Sequence, residues 1–211
     1  MTMAYSEVEI VNLALTELGK TAIRDFSITD TDPITGRLGK RVYQASRDLL
    51  LSGHDWTFAR VTIALQQRAE THPKGVLYAL PSDCYVARRV EPRSGRPNTW
   101  SVEGRSLIIP LDRVVSLGTQ PLLRYTKQLT NTALFPPYFV DALMYEIARR
   151  ISKPLTANAE LSSELKKDAK ASLLNAKLID ANIGEGDDHH QQDLDYDTFV
   201  AIDVPGEAFN G

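Results

Sequence analysis

The sequence contains a single cysteine, Cys84, among its 211 residues. An internal disulfide framework is therefore excluded, and this cysteine usage is typical of a protein that works in a reducing compartment. No apolar run approaches the roughly 20 residues that a membrane-spanning helix needs. The first nine residues include acids and no basic residue, so we expect no signal peptide. From these absences we expect a protein that is assembled in the cytoplasm and meets no membrane.

The chain also lacks an excess of basic charge. Its formal net charge of −3 argues against a protein whose main task is to hold nucleic-acid phosphates. The charge is uneven, because residues 184–211 contain eight acids and no Lys or Arg, whereas the other 183 residues carry a formal charge of +5. Acidic ends of this kind are usually interaction arms or solvated ends. We therefore expect any DNA to be passed along by this protein rather than held.

Helical spacing of apolar residues predicts two helices in the first 53 residues. Ser6 and Glu9 form a capping-box pattern at the start of the first helix, and Gly19 supplies its stop signal. The second helix is predicted to start at Pro33 and to end at Gly53. Its buried face is predicted to consist of Leu38, Val42, Ala45 and Leu49.

Two more helices are predicted towards the other end of the chain. The third begins at Pro136-Pro137 and is predicted to end at Lys153-Pro154. Asn158 is the predicted N-cap of a long fourth helix over residues 158–182. The predicted inward residues are Phe139, Leu143, Ile147 and Ile151 on the third helix, and Leu161, Leu165, Ala169, Leu173, Ala176 and Ile179 on the fourth.

Between these helical pairs the pattern changes to short runs rich in β-branched and aromatic residues. Six strands are predicted, at residues 61–65, 77–80, 85–90, 99–102, 106–109 and 122–125. Glu103-Gly104-Arg105 is predicted to turn a tight hairpin between two of them.

These elements predict an α+β fold, in which about four helices carry an inserted small antiparallel β-sheet region and an extended C-terminal arm. The predicted division is a helical domain of residues 1–60 and 133–183, a β-rich insertion of residues 61–132, and an acidic arm of residues 184–211. In residues 193–204 of the arm, apolar and acidic residues largely alternate, which predicts an extended strand with one apolar face. Such a segment needs a partner, either a sheet edge or a groove of another subunit. The candidate partner-binding residues are Leu194, Tyr196, Phe199, Val200, Ile202 and Val204.

No pattern in the sequence predicts catalysis. Residues 36–41 (Gly-Arg-Leu-Gly-Lys-Arg) lack the spacing of a phosphate-binding loop and lie within a predicted helix. His54-Asp55-Trp56 places an imidazole beside a carboxylate, but we expect a loop in which Trp56 and Phe58 anchor the core. Cys84 has no local base or electropositive setting, so we expect a buried structural thiol.

Two further groups of residues contain side chains that could bind a metal ion or phosphate. Asp187-Asp188-His189-His190 lacks the spacing of a preformed metal site, and a solvated hinge is the favoured interpretation. The pairs Arg88-Arg89 and Arg149-Arg150 are more consistent with solvated faces than with phosphate contacts. We therefore assign no catalytic, cofactor-binding or metal-binding residue from the sequence.

Several stretches, taken in order, resemble the tail tubular protein A family, the head-to-tail adaptors of short-tailed bacteriophages. They are residues 9–15 with 18–19, 47–50, 55–59, 78–84, 102–104, 123–125 and 135–139 with 142–143 and 147–148. No single stretch is specific, and the resemblance covers roughly residues 5–182. It implies a structural virion protein without enzymatic activity, whose copies form a ring, commonly of twelve. The ring would bind the portal protein on one side and the tail nozzle protein on the other, with DNA passing through its lumen without specific binding during ejection.

Three other functions are alternatives to the adaptor. A head-completion connector of a long-tailed phage is also a ring-forming virion protein, but is often shorter and lacks the sheet insertion. A virion-associated cell-wall hydrolase would need two carboxylates about 5 to 9.5 Å apart in a cleft, and no pair is marked by its sequence context. An accessory DNA-binding module is disfavoured by the net negative charge.

Overall fold

The computed structural model describes residues 5–27, 33–91, 100–112, 114 and 120–184. Helix α1 spans Glu7–Glu17 and begins with the predicted capping box. The Ser6 backbone N–H donates to Glu9 Oε2 at 2.6 Å, and the Glu9 N–H donates to Ser6 Oγ at 3.2 Å. Gly19 follows the helix with a φ of 62°, the left-handed conformation of a helix stop signal.

Helix α2 spans Pro33–Ser52, as the sequence predicts, but only half of its predicted buried face is correct. Leu38 and Val42 are half-buried against the helical core, whereas Ala45 and Leu49 are exposed. The buried positions of α2 are Thr35, Gly36, Gly39, Tyr43, Ser46, Arg47, Leu50 and Leu51. The physical reason lies in the small residues, since a Cβ on Gly39 would come within 2.8 Å of the Val11 side chain. Glycine thus lets α1 approach α2 along a face that hydrophobicity alone does not mark.

Helices α3 (Pro137–Thr156) and α4 (Ala159–Ile183) form the other helical pair. Pro154 does not end α3, contrary to prediction. It lies in the last turn, where its missing N–H removes only one hydrogen bond, and the helix continues until Ala157 adopts a left-handed φ of 51°. Asn158 caps α4 as predicted, because its side chain accepts from the Leu161 N–H at 3.1 Å. The predicted inward residues of both helices are buried or half-buried.

In the described part of the chain, seven strands form two antiparallel sheets where one sheet region was predicted. The strands are β1 (Arg60–Ala64), β2 (Gln66–His72), β3 (Gly75–Ala79), β4 (Cys84–Glu91), β5 (Ser101–Glu103), β6 (Ser106–Ile109) and β7 (Leu122–Lys127). Their orders are β1-β7-β4 and β2-β3-β6-β5. The hairpin between β5 and β6 is confirmed, with Glu103 opposite Ser106 and a φ of 58° at Gly104. The sequence prediction missed β2, because its polar residues carry no apolar alternation.

The helices and the sheets have separate apolar cores, and the predicted α+β class is confirmed. The helical core combines residues of α1 and α2 with α3 and α4, and α3 packs against all three other helices. The second core lies between residues of the two sheets and includes Tyr78, Leu107, Leu123 and Tyr125. The loop of residues 53–56, between α2 and a short 3-10 helix at Thr57–Ala59, leads from the first core to the second.

Candidate functional site

The predicted partner-binding residues lie outside the described residues. These residues are Leu194, Tyr196, Phe199, Val200, Ile202 and Val204. Residues 187–190, considered above as metal ligands, also lie outside the described residues. Their role stays a prediction. The chemistry-bearing side chains that the structure does describe converge instead on the loop of residues 53–56.

Trp56 anchors this loop in the helical core, as the sequence predicts. Its side chain is fully buried, and its Nε1 donates to the carbonyl oxygen of Leu50 at 2.7 Å. The rings of Phe58 and Phe139 pack nearby, with Phe139 at 5.2 Å edge-to-face on the indole. The His54-Asp55-Trp56 pattern is therefore a structural loop held by its aromatic residue.

Asp180, near the end of α4, accepts the hydrogen bonds that converge beside this loop. The sequence did not predict this role. Asp180 is 1% exposed, and its partner Thr57 lies 123 positions earlier in the chain. Thr57 donates through its hydroxyl to Oδ1 at 2.6 Å and through its backbone N–H at 3.1 Å. The Tyr138 hydroxyl donates to Oδ1 at 2.9 Å, and His54 Nε2 lies 3.3 Å from Oδ2.

Four donors around one carboxylate decide its chemistry. Burial by itself would raise the pKa of Asp180, but the hydrogen bonds from His54, Thr57 and Tyr138 outweigh it and hold the pKa below its ordinary value. Burial and the hydrogen bond to Asp180 raise the pKa of Tyr138 to about 12. A carboxylate offers about four lone-pair positions, and here they face protein donors. Asp180 thus joins α4, α3 and the loop rather than presenting a base to a substrate.

A second set of charged contacts joins the loop to the β1-β7-β4 sheet. The Arg88 guanidinium on β4 donates through Nη2 to the carbonyl oxygens of Leu51 (3.1 Å), Ser52 (2.8 Å) and His54 (2.6 Å). Two of these belong to the last turn of α2, whose carbonyls have no partner within the helix. The same side chain donates through Nε to Thr126 Oγ1 on β7 at 2.8 Å. Arg88 is therefore a cap on α2 and not part of a solvated basic face.

Asp55 completes this link between the loop and the sheet. Arg124 Nε on β7 lies 3.1 Å from Asp55 Oδ2, and Arg60 Nε on β1 lies 3.4 Å from Oδ1. Arg124 is 8% exposed, so the Asp55 carboxylate compensates a guanidinium charge that is largely removed from solvent. We call the set of Asp180, Thr57, Asp55, Arg88 and their partners the polar junction.

The remaining sequence candidates have structural roles. Residues 36–41 lie within α2, so their backbone is helical and does not form a phosphate-binding loop. Cys84 is half-buried at the start of β4 rather than fully buried, and burial raises the pKa of its thiol. Arg149 and Arg150 both bind the carboxylate of Glu146, at 2.7 and 2.6 Å. This ion-pair cluster replaces the solvated face predicted for that pair.

The outer face of α4 is the most apolar exposed helix surface among the described residues. Leu174 is 58% exposed and Leu178 is 57% exposed, one turn apart. Ala171 and Ala181 extend the same side of the helix, opposite the buried Leu165, Ala169 and Ala176. We call Ala171, Leu174, Leu178 and Ala181 the outer α4 stripe.

Within the described ranges, no three His, Cys, Asp or Glu side chains cluster as metal ligands would. No helix in that part of the chain is both long and apolar enough to cross a bilayer. The chain gives no significant match to any protein-family model or to any curated protein sequence.

Proposed function

We propose that this chain is a structural virion protein, a head-to-tail adaptor whose copies form a ring between a portal protein and a tail nozzle protein. The proposal starts from the ordered resemblance to the tail tubular protein A family. Copies of this chain would line part of the path along which DNA leaves the head, and they would have no enzymatic activity.

The polar junction is the structural observation that carries this proposal. An adaptor must keep two binding surfaces at fixed positions, because its two partners are large assemblies that cannot adjust to a hinged subunit. Asp180 fastens α4 to the loop of residues 53–56 and the 3-10 helix after it, and Arg88 and Asp55 fasten that loop to the β1-β7-β4 sheet. These contacts are buried or half-buried hydrogen bonds and ion pairs of charged groups. Such contacts orient the joined elements more strictly than apolar packing does.

The outer α4 stripe and the predicted arm supply surfaces of the kind that assembly requires. A ring uses a heterologous interface, in which two different patches of each subunit meet. An arm repeated around a ring also gains affinity from many weak attachments. The prediction that residues 193–204 fasten the ring to the portal remains part of the proposal.

The test is to mix the purified full chain with portal rings and to count the bound copies by electron microscopy or native mass measurement. We expect a ring, commonly of twelve copies in the resembling family, on one face of the portal. A chain that ends at residue 183 should stay soluble and folded but lose co-purification with the portal. If the shortened chain docks at full strength, the arm assignment is wrong. If the full chain ignores the portal and instead clears a suspension of bacterial cell walls, the adaptor function is wrong.

A further inference from the structure

We propose that the C-terminal segment of residues 193–204 docks in the free subunit on the outer α4 stripe of its own chain. The inference rests on the geometry of α4 and on the residues of the segment, and it does not depend on the adaptor function. The segment itself lies outside the described residues.

The first argument is the chemistry of the surface. The inner face of α4 is already buried against α3, yet its outer face carries two largely exposed leucines. Exposed leucines one turn apart form an apolar patch that water solvates poorly. Alternate residues of the segment, including Leu194, Tyr196 and Val200, supply apolar side chains to cover it.

The second argument is charge. Lys170 and Lys167 are exposed one and two turns before Leu174, on the same side of α4 as the stripe. The segment presents Asp193, Asp195 and Asp197 between its apolar residues and contains no basic residue. The outer α4 stripe and the lysines beside it are therefore complementary to a segment that alternates apolar and acidic side chains. This complementarity favours the segment as the occupant, because Asp193, Asp195 and Asp197 can pair with Lys167 and Lys170.

The third argument is reach. Helix α4 ends at Ile183, and Leu174 lies about 15 Å back along its axis from Gly184. A flexible chain of the ten residues that separate Gly184 from Leu194 would have an r.m.s. length of roughly 17 Å. A linker whose length matches the span gives the highest effective concentration.

The spacing along the two elements also agrees. Leu174 and Leu178 lie about 6 Å apart along the helix axis. Alternate residues of an extended strand lie about 7 Å apart. Two neighbouring apolar residues of the segment can therefore contact both leucines at once.

Hydrogen exchange of the full chain tests the proposal, measured at two protein concentrations that differ by a factor of about 50. An effective concentration on the order of millimolar and a contact with a Kd on the order of 0.1 mM predict roughly tenfold slower exchange in residues 193–204 than in an undocked segment. The slowing should be equal at both concentrations. It should disappear in the Leu174→Ser, Leu178→Ser double variant.

Matched controls separate docking from general effects. Ile34→Ser and Leu111→Ser alter exposed apolar residues elsewhere and should leave the slowing unchanged. Lys167→Glu with Lys170→Glu should remove most of it, whereas Lys20→Glu with Lys40→Glu, which also alters two exposed lysines, should not. Because all these side chains are exposed, the variants should keep the fold.

Three results would overturn the proposal. The first is exchange of residues 193–204 at the rate of an unprotected chain. The second is slowing that survives the double leucine variant. The third is slowing that appears only at the higher concentration, which would make a second copy the occupant.

Discussion

Thr57 donates its hydroxyl to Asp180 at 2.6 Å, although 123 positions separate the two residues in the chain. Thr57 opens the 3-10 helix that leads into β1, and Asp180 lies in the last turn of α4. One carboxylate thus joins the start of the sheet region to the last described helix. The bond matters because Asp180 is 1% exposed. If a donor is lost there, the buried carboxylate has neither that hydrogen bond nor water in its place.

We expect Asp180→Asn to destabilise the fold by about 2 to 3 kcal/mol, since the neutral amide loses charge-assisted bonds and turns an NH₂ group towards donors. Urea unfolding at neutral pH measures this difference. Asp168→Asn alters an exposed acid of the same helix and should change the free energy of unfolding by less than about 0.5 kcal/mol. Equal effects of the two substitutions would contradict the role given to Asp180.

The sequence predicted the inward face of α4 but not the role of Asp180, whose carboxylate joins that face to the rest of the fold. Asp180 follows Ala176 and Leu173 at helical spacing, so an acid at the end of an apolar face was a visible signal. Its partners could not be predicted, because Thr57 and Tyr138 meet it only when distant elements pack. The same limit applies to Arg88, whose acceptors are backbone carbonyls that no side-chain pattern marks.

Patterns of hydrophobicity also failed where packing depends on small or polar residues. The buried face of α2 contains Gly36, Gly39 and Ser46, which the apolar pattern passes over. Strand β2 is almost wholly polar and forms because it pairs with β3 through the turn at His72-Pro73-Lys74-Gly75. The capping box of α1, the N-cap of α4, the proline starts and the hairpin at Gly104 were predictable, since each depends on neighbouring residues.

We expect Arg88→Met to destabilise the protein by about 2 to 4 kcal/mol, because the four hydrogen bonds that join β4 to β7, to the end of α2 and to the loop of residues 53–56 are lost. Arg88→Lys should recover only part of this, since an ammonium cannot reproduce the planar fork of the guanidinium. Thermal unfolding followed by circular dichroism gives the order of the three proteins.

Arg68→Met is the matched control for the loss of an arginine from a strand. Arg68 lies on β2 with its side chain 38% exposed and paired only with an exposed glutamate at 3.5 Å among the described residues. We expect a change below about 1 kcal/mol. Lysine restoring full stability at position 88 would show that charge alone, and not the geometry of the cap, matters there.

Gly75→Ala should destabilise the fold by about 3 kcal/mol or more. Gly75 has a φ of 151°, and a Cβ there would collide with the backbone carbonyl of Ile109 on the neighbouring β6. Gly104→Ala is the control, because Gly104 also has a positive φ (58°) but has nothing within 4 Å of its Cβ position. Conformational strain alone should cost about 1 kcal/mol at Gly104. Chemical unfolding measures the loss in free energy of unfolding for both variants, and equal losses would contradict the steric argument.

Glu146 on α3 should make stability depend on acid pH. Burial would raise the pKa of Glu146, but the hydrogen bonds and charges of Arg149 and Arg150 outweigh burial and hold it below its ordinary value. A carboxyl whose pKa is lower in the folded state stabilises the fold fully above its unfolded pKa of about 4.3. That stabilisation is lost as the pH falls through the folded pKa.

Glu146→Gln should therefore cost about 1 to 2 kcal/mol at neutral pH, and this difference from the natural protein should shrink steadily below about pH 4. Urea unfolding at a series of pH values measures the difference. Glu164→Gln changes an exposed acid of α4 and should give a small difference that stays flat over the same range. A Glu146→Gln difference that grows as the pH falls would mean that the carboxyl is destabilised in the folded state, because the arginines then fail to compensate its burial.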